Sequence, residues 1–186
     1  MRTAEQASAL PLRPPAGFRE RSLLVFTYDD EEAYLSSWSF ASRTLSRVAG
    51  SGVGEGAAFS PRDDYVAFTS HESGRAEVYV TTFPDRRRTW PLTTEGGRVV
   101  SWSSDGREIL VATLSGHIAG YPVSTEGGFS HGQPTILVRD VGAAARFSSA
   151  TRDHSRILIR VNPDSVTDKG EIRLLFGWQD ALRQRR

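Results

Sequence analysis

"SWSSDGREILVAT", Ser101 to Thr113, drives a polar turn into the apolar run Ile109-Leu110-Val111. Forty-three positions earlier "AFSPRDDYVAFTS", Ala58 to Ser70, does the same with Val66-Ala67-Phe68. Ser60 falls at Ser103 and Asp63 at Gly106. A third run, Leu23-Leu24-Val25, lies another 43 positions upstream, and a fourth, Ile157-Leu158-Ile159, follows 48 downstream, the extra residues fitting a longer loop. There Asp153-His154-Ser155-Arg156 takes the place of Asp105-Gly106-Arg107-Glu108. Four units in register are a repeat.

Each run is followed by a turn and a second strand-like segment: "YLSSWSF" (Tyr34 to Phe40), "EVYVTTF" (Glu77 to Phe83), "HIAGYPV" (His117 to Val123) and "EIRLLFGW" (Glu171 to Trp178). Short segments rich in Val, Ile, Tyr, Phe and Thr, punctuated by Gly, Pro, Asp and Ser, predict β-strands. "SHESGRAE" (Ser70 to Glu77) and "LSGH" (Leu114 to His117) predict hairpin turns, with "TWPLTT" (Thr89 to Thr94) as an outer strand. Trp178 and Leu182 share a helical face, so the last ten residues fit a short helix or a frayed tail.

A period near 40 built from about four strands is the pattern of a β-propeller blade. The fold class is therefore all-β, with about four four-stranded blades, and "SPRDD" and "SSDG" as the corners between first and second strands. The boundaries read as a leader or linker over 1–21 and blades over 22–56, 57–97, 98–140 and 141–186. Closed propellers usually have four to eight blades. Four units close alone, pair with a second copy, or belong to a longer chain. A half or incomplete propeller is the preferred reading, because an open stack leaves apolar faces at its ends.

The bulk properties narrow the partners. The 186 residues are 38% hydrophobic and carry a formal net charge of +1, so neither nucleic acid nor an acidic membrane surface is expected as a partner. No apolar run has the length of a membrane span. With no cysteine, disulfides, thiolate chemistry and cysteine-ligated metals are excluded. "PLRPP" interrupts the nearest candidate for a signal-peptide core, which leaves the compartment open: cytoplasmic for a full-length chain, extracytoplasmic for a piece of a membrane kinase.

The stretch Ala57 to Gly97 resembles the TolB-like, WD-repeat-like propeller repeat, whose core reads W-S-P-D-G-x-x-[IVL]-A-F. More narrowly, the chain is similar to the carboxy-terminal propeller of certain bacterial serine/threonine protein kinases. The counterparts here are Glu72 to Arg75, Glu77 to Val80, Phe83-Pro84, Trp90, Gly96-Gly97, Trp102 to Glu108 and Trp178 to Leu182. The likeness runs from Ser22 to Arg183. Arg62-Asp63 stands where Asp-Gly is usual, Gly177 where Asn is, and His154 where Gly is. The resemblance implies a propeller, usually six-bladed in TolB-like proteins. It carries no kinase chemistry, since the Gly-rich loop, V-A-I-K, H-R-D and D-F-G elements are all lacking.

Other clusters read as architecture. His71, His117, His131 and His154 have no metal-ligand spacing and suit turns or strand edges. "YDDEE" (Tyr28 to Glu32) reads as a solvated hairpin turn rather than a cation site. "DRRRTW" (Asp85 to Trp90) reads as a charged rim hairpin rather than a nucleic-acid groove. "SGVGEG" (Ser51 to Gly56) reads as an inter-blade loop without a helix to present phosphate. Trp38, Trp90, Trp102 and Trp178 read as core. No G-x-S-x-G elbow or sialidase Asp-box occurs.

The expectation is a non-catalytic module that binds a protein or peptide, needs no cofactor, and is completed by self-association or a further segment. Loops at Ser51 to Gly56, Thr94 to Arg98 and Asp140 to Ala144 would converge at one end, with Glu55, Glu95 and Arg98 as candidate ligand-binding residues. The alternatives are a sensor piece of a kinase or peptidase, or a hydrolase with an unmarked site.

Overall fold

The structure, a computed structural model, describes residues 17–18, 22–29, 32–50, 52–139, 141, 146–160 and 173–176, some of them by backbone alone. Among these every regular element is a β-strand and every pairing is antiparallel. The first sheet holds β1 (Gly17–Phe18), β2 (Ser22–Asp29), β3 (Glu32–Ser39) and β4 (Thr44–Ala49) in chain order. The second holds β5 (Val53–Phe59), β6 (Tyr65–Ser70), β7 (Glu77–Thr82) and β8 (Thr89–Pro91). β1 falls inside the stretch read as a leader. The candidate tail helix from Trp178 lies outside the described residues.

The third sheet runs β9 (Gly97–Trp102), β10 (Glu108–Thr113), β11 (Ile118–Ser124), with two short strands sharing its outer edge. β12 (Ser130–His131) pairs with Val123 and Ser124, and β13 (Thr135–Val138) with Ile118 to Gly120. The break between them faces Pro122, which has no amide to donate; there Gly132 N donates to the Pro122 carbonyl at 2.8 Å instead. The fourth sheet is β14 (Arg146–Ala150), β15 (Arg156–Arg160) and β16 (Arg173–Phe176).

The repeat explains which side chains are buried. In each apolar run the middle residue faces the following sheet and its neighbours face the preceding one. Leu24 packs in a cluster with Val66 and Phe68. Ala67 packs with Ile109 and Val111. Leu110 packs with Ile157. β6, held between two sheets, is buried at all positions, whereas only Leu24 is buried in β2. At the far end Leu158, the counterpart of the fully buried Leu110, is 39% exposed. Among the described residues the two end sheets are thus each covered on one side only, and the stack is a partial propeller.

The corners are three copies of one device. Ser60 Oγ accepts from Tyr65 N at 3.0 Å, Ser103 Oγ from Glu108 N at 2.9 Å, and Thr151 Oγ1 from Arg156 N at 3.1 Å. Each hydroxyl also donates to a carboxylate, that of Asp64, Asp105 or Asp153. The residue at the sharpest point is left-handed in all three: Asp63 (φ 58), Gly106 (φ 76) and His154 (φ 56). Asp and His tolerate this region better than most side chains, so the departures from Asp-Gly leave the turn intact. The Asp153 carboxyl, held by the Thr151 hydroxyl and by the Ser155 amide and hydroxyl, drops to about 2. Asp105 is lowered too, by the Ser103 hydroxyl and then the Arg107 amide.

Inner strands of the second and third sheets approach closely. The β5–β6 register shifts between Val53 and Ala57, and Gly56 (φ 102) sits where a Cβ would lie 2.4 Å from the Val99 carbonyl oxygen. Opposite this irregularity Thr69 Oγ1 accepts from Val99 N at 3.0 Å, joining the two sheets through a buried hydrogen bond. Only glycine fits there.

Candidate functional site

Of the three residues marked as ligand-binding, Glu95 lies in the turn between β8 and β9 and is exposed. Arg98 is exposed too, but it belongs to β9 rather than to a loop. Glu55 lies on β5, so the Gly-rich stretch from Val53 onward is strand, not loop; its side chain lies outside the described residues. The strand continues because the register irregularity accommodates Gly54 and Gly56. Of the third expected loop, Asp140 and residues 142–144 lie outside the described residues.

The turn bearing Glu95 is fixed from beneath by Glu77, which is 3% exposed. Its carboxylate accepts from Arg75 Nε at 2.6 Å, from Gly96 N at 3.0 Å and from the Thr93 hydroxyl. Arg75 also donates to the Thr94 carbonyl, and Thr93 Oγ1 accepts from Val78 N at 2.8 Å. This end of the stack is a rigid frame, with the hairpin Ser70 to Glu77 and the turn Thr93 to Gly97 locked together. Burial, then the carboxylates of Glu77 and Glu95, pushes the Tyr121 phenol upward.

At the opposite end, consecutive corners flank a cleft of about 460 Å³. Arg62 and Asp64 line it from the second sheet, Asp105 and Arg107 from the third, and Glu126 from the turn after β11. Asp64 and Asp105 are engaged by the corner hydroxyls. Arg62, Arg107 and Glu126 are exposed, as is Asp105 beside them.

The joint between the third and fourth sheets is polar in an unexpected way. His154, 1% exposed, places Nε2 2.9 Å from Ser101 Oγ and Nδ1 2.8 Å from Glu108 Oε1. A carboxylate only accepts, so Nδ1 carries the proton; on the neutral ring Nε2 then accepts from the Ser101 hydroxyl. A β-bulge aims Ser101 here: the register pairs Ser101 with Leu110 and Val99 with Val111, leaving Val100 as the extra residue. Gly120 makes room for Glu108, since a Cβ there would lie 2.5 Å from Oε2. A corner-to-corner bond, Ser104 N to the Arg152 carbonyl at 2.7 Å, completes the joint.

One sheet earlier the same three positions are Ala58, Tyr65 and Gly106. That joint is aromatic: Tyr65 and Trp90 of the second sheet meet Trp102 and Phe129 of the third, with ring centroids 5.5 to 6.5 Å apart. The sequence suits His154 to a turn or strand edge, and its partners lie 46 and 53 positions away, beyond any local pattern. The available signal was that all three equivalent positions change together.

The remaining candidates are architectural. Arg86, Arg87 and Arg88 are exposed in the turn after β7, where Arg87 Nε meets Asp85 at 2.6 Å, while Trp90 turns inward to Tyr65 and Phe129. Aromatic and arginines therefore do not share a surface. Trp102 is buried and Trp38 half-buried, and Trp178 lies outside the described residues. Asp29 and Glu32 close the β2–β3 hairpin as a pair; the intervening Asp30 and Glu31 lie outside the described residues.

Solved structures share this architecture. TolB from Acinetobacter baumannii matches with a TM-score of 0.54 at 19% identity, covering 78% of this chain and 39% of that one. The β-propeller domain of the Trilobed protease from Pyrococcus furiosus, described as having an open velcro topology, matches at 0.52 and 11% identity, covering 89% and 56%. Pyrococcus horikoshii acylaminoacyl peptidase matches at 0.51 and 12% identity, covering 89% and 32%. The chain thus spans between a third and just over half of these proteins, and at such identities the likeness establishes the fold. No family model matches the sequence, nor does any curated protein.

Proposed function

We propose that the chain is a protein- or peptide-binding propeller module whose ligand docks on the end bearing Glu95 and Arg98. The observation that supports this reading is the frame around Glu77: it holds an acidic and a basic side chain exposed on a turn and strand that need no rearrangement to bind. The narrower likeness to kinase-borne propellers favours a sensor version of the same reading. Its shared residues Arg75, Glu77 and Gly96 build the frame itself, so they mark the repeat type rather than a ligand. The test is selection of binders from a random dodecapeptide library. The Glu95→Ala/Arg98→Ala double variant is expected to lose about tenfold or more in affinity for the enriched peptides, since each charged hydrogen bond is worth roughly 1.5–3 kcal/mol, with an unchanged melting curve. Equal affinity in the variant overturns the site.

Self-association is the second element of this reading, supported by the end sheets, each of which has one side left uncovered by the described residues. Two copies would set the Leu158 face of one against the Leu23 face of the other. Light scattering across a tenfold dilution is expected to give twice the 20.5 kDa of one chain. A mass of one chain throughout sinks the pairing.

A further inference from the structure

We propose that Ser101 is a base-activated nucleophile, with His154 as its general base and Glu108 as the group that orients and charges the imidazole, and that it accepts short acyl groups from esters. The geometry is that of a nucleophile–base–orienter set: 2.9 Å from hydroxyl to Nε2, and 2.8 Å from Nδ1 to carboxylate. Stacking does not require these residues, because the preceding joint is built with Ala58, Tyr65 and Gly106 in their places. Burying an imidazole where an apolar joint serves is costly unless it is paired, and here both ring nitrogens are paired, in the order that polarises the Ser101 hydroxyl.

Access fixes the substrate class. His154 is sealed at 1% exposure, whereas Ser101 is half-buried and the Glu108 side chain is 28% exposed. With the imidazole sealed and Ser101 partly exposed, a substrate would have to reach the trio by way of the hydroxyl, which suits a slim acyl group rather than a folded peptide. In the reaction Ser101 Oγ adds to the ester carbonyl carbon as its proton moves to His154 Nε2. The tetrahedral intermediate expels the alcohol, which takes that proton. Water, deprotonated by the same nitrogen, then attacks the acyl-serine; the carboxylic acid leaves and Ser101 regains its hydrogen. Glu108, hydrogen-bonded to Nδ1, stabilises the transient imidazolium. This inference is independent of the peptide-binding reading, which uses the other end of the stack.

The experiment treats the intact chain with an alkyl fluorophosphonate and maps the adduct by peptide mass, with p-nitrophenyl acetate as a turnover probe. Ser101 is expected to carry the adduct, and Ser101→Ala to abolish it. His154→Asn, which keeps a residue tolerant of the left-handed turn, is expected to slow labelling and turnover by about 100-fold or more. Glu108→Gln is expected to slow both by about tenfold or more, and it carries the test if His154→Asn fails to fold. An unmodified Ser101 in folded wild-type chain overturns the proposal. So does labelling at equal rates in the folded variants. A purely structural trio lowers the melting temperature in the variants and yields no adduct in any of them.

Discussion

Trp102→Ala is expected to lower the unfolding free energy by about 4 kcal/mol, within the range for removing a buried large aromatic. Trp102 is 6% exposed and is the third-sheet partner in the aromatic joint, at 6.5 Å from Tyr65 and 6.3 Å from Phe129. The ring's removal leaves a hole between two sheets that cannot collapse, because both backbones are held by the corner hydrogen bonds. It also deprives the Gly106 carbonyl of the indole N–H at 3.2 Å. For a chain of this length the loss corresponds to a fall in melting temperature of roughly 8–16 °C, readable by calorimetry. Trp102→Phe should recover more than half of it, since most of the apolar volume returns. A drop below about 1 kcal/mol for the alanine variant would mean that this joint does not hold the sheets together.

Glu77→Ala comes next, at about 3 kcal/mol. The carboxylate is buried and serves the Thr93 hydroxyl and Gly96 N–H, so its deletion strands two donors beneath the turn. The partners are unequal. Arg75 has a side chain 54% exposed, so Arg75→Ala should cost less than about 1 kcal/mol and weaken further in salt, while the Glu77 effect should not respond to salt. A double-mutant cycle with Thr93→Ala should find a coupling of about 1 kcal/mol or more. If the two substitutions are additive, the frame is not a cooperative unit, and the rigidity argued for the Glu95 end fails with it.

The repeat was legible because its signal is local. Hydrophobic runs at intervals of 43, 43 and 48, the last three each preceded by a hydroxyl and an Asp, encode strand, corner and spacing together. The facing of the middle and flanking residues then follows from period-two alternation. Three features were not legible. β5 begins at Val53, since a Gly-rich run reads as loop until one sees that Gly56 must admit the Val99 carbonyl. Arg98 was placed in a loop because the turn signal of Gly96-Gly97 masks a strand starting at Gly97 itself. The Ser101–His154–Glu108 contact arises between sheets, and no window of sequence contains a joint.

The narrow approach at Gly56 also sets an angle. Successive sheets are each rotated about the common axis, and how far is fixed where the inner strands touch. If copies join as proposed, the Leu158 face of one against the Leu23 face of the next, they add head to tail. Such a contact ends in a finite particle only when the summed rotation amounts to one full revolution; any other pitch winds the copies into an open spiral. A methyl group at position 56 would push the inner strands apart and alter that pitch, so in the proposed assembly one glycine would govern whether association terminates or propagates.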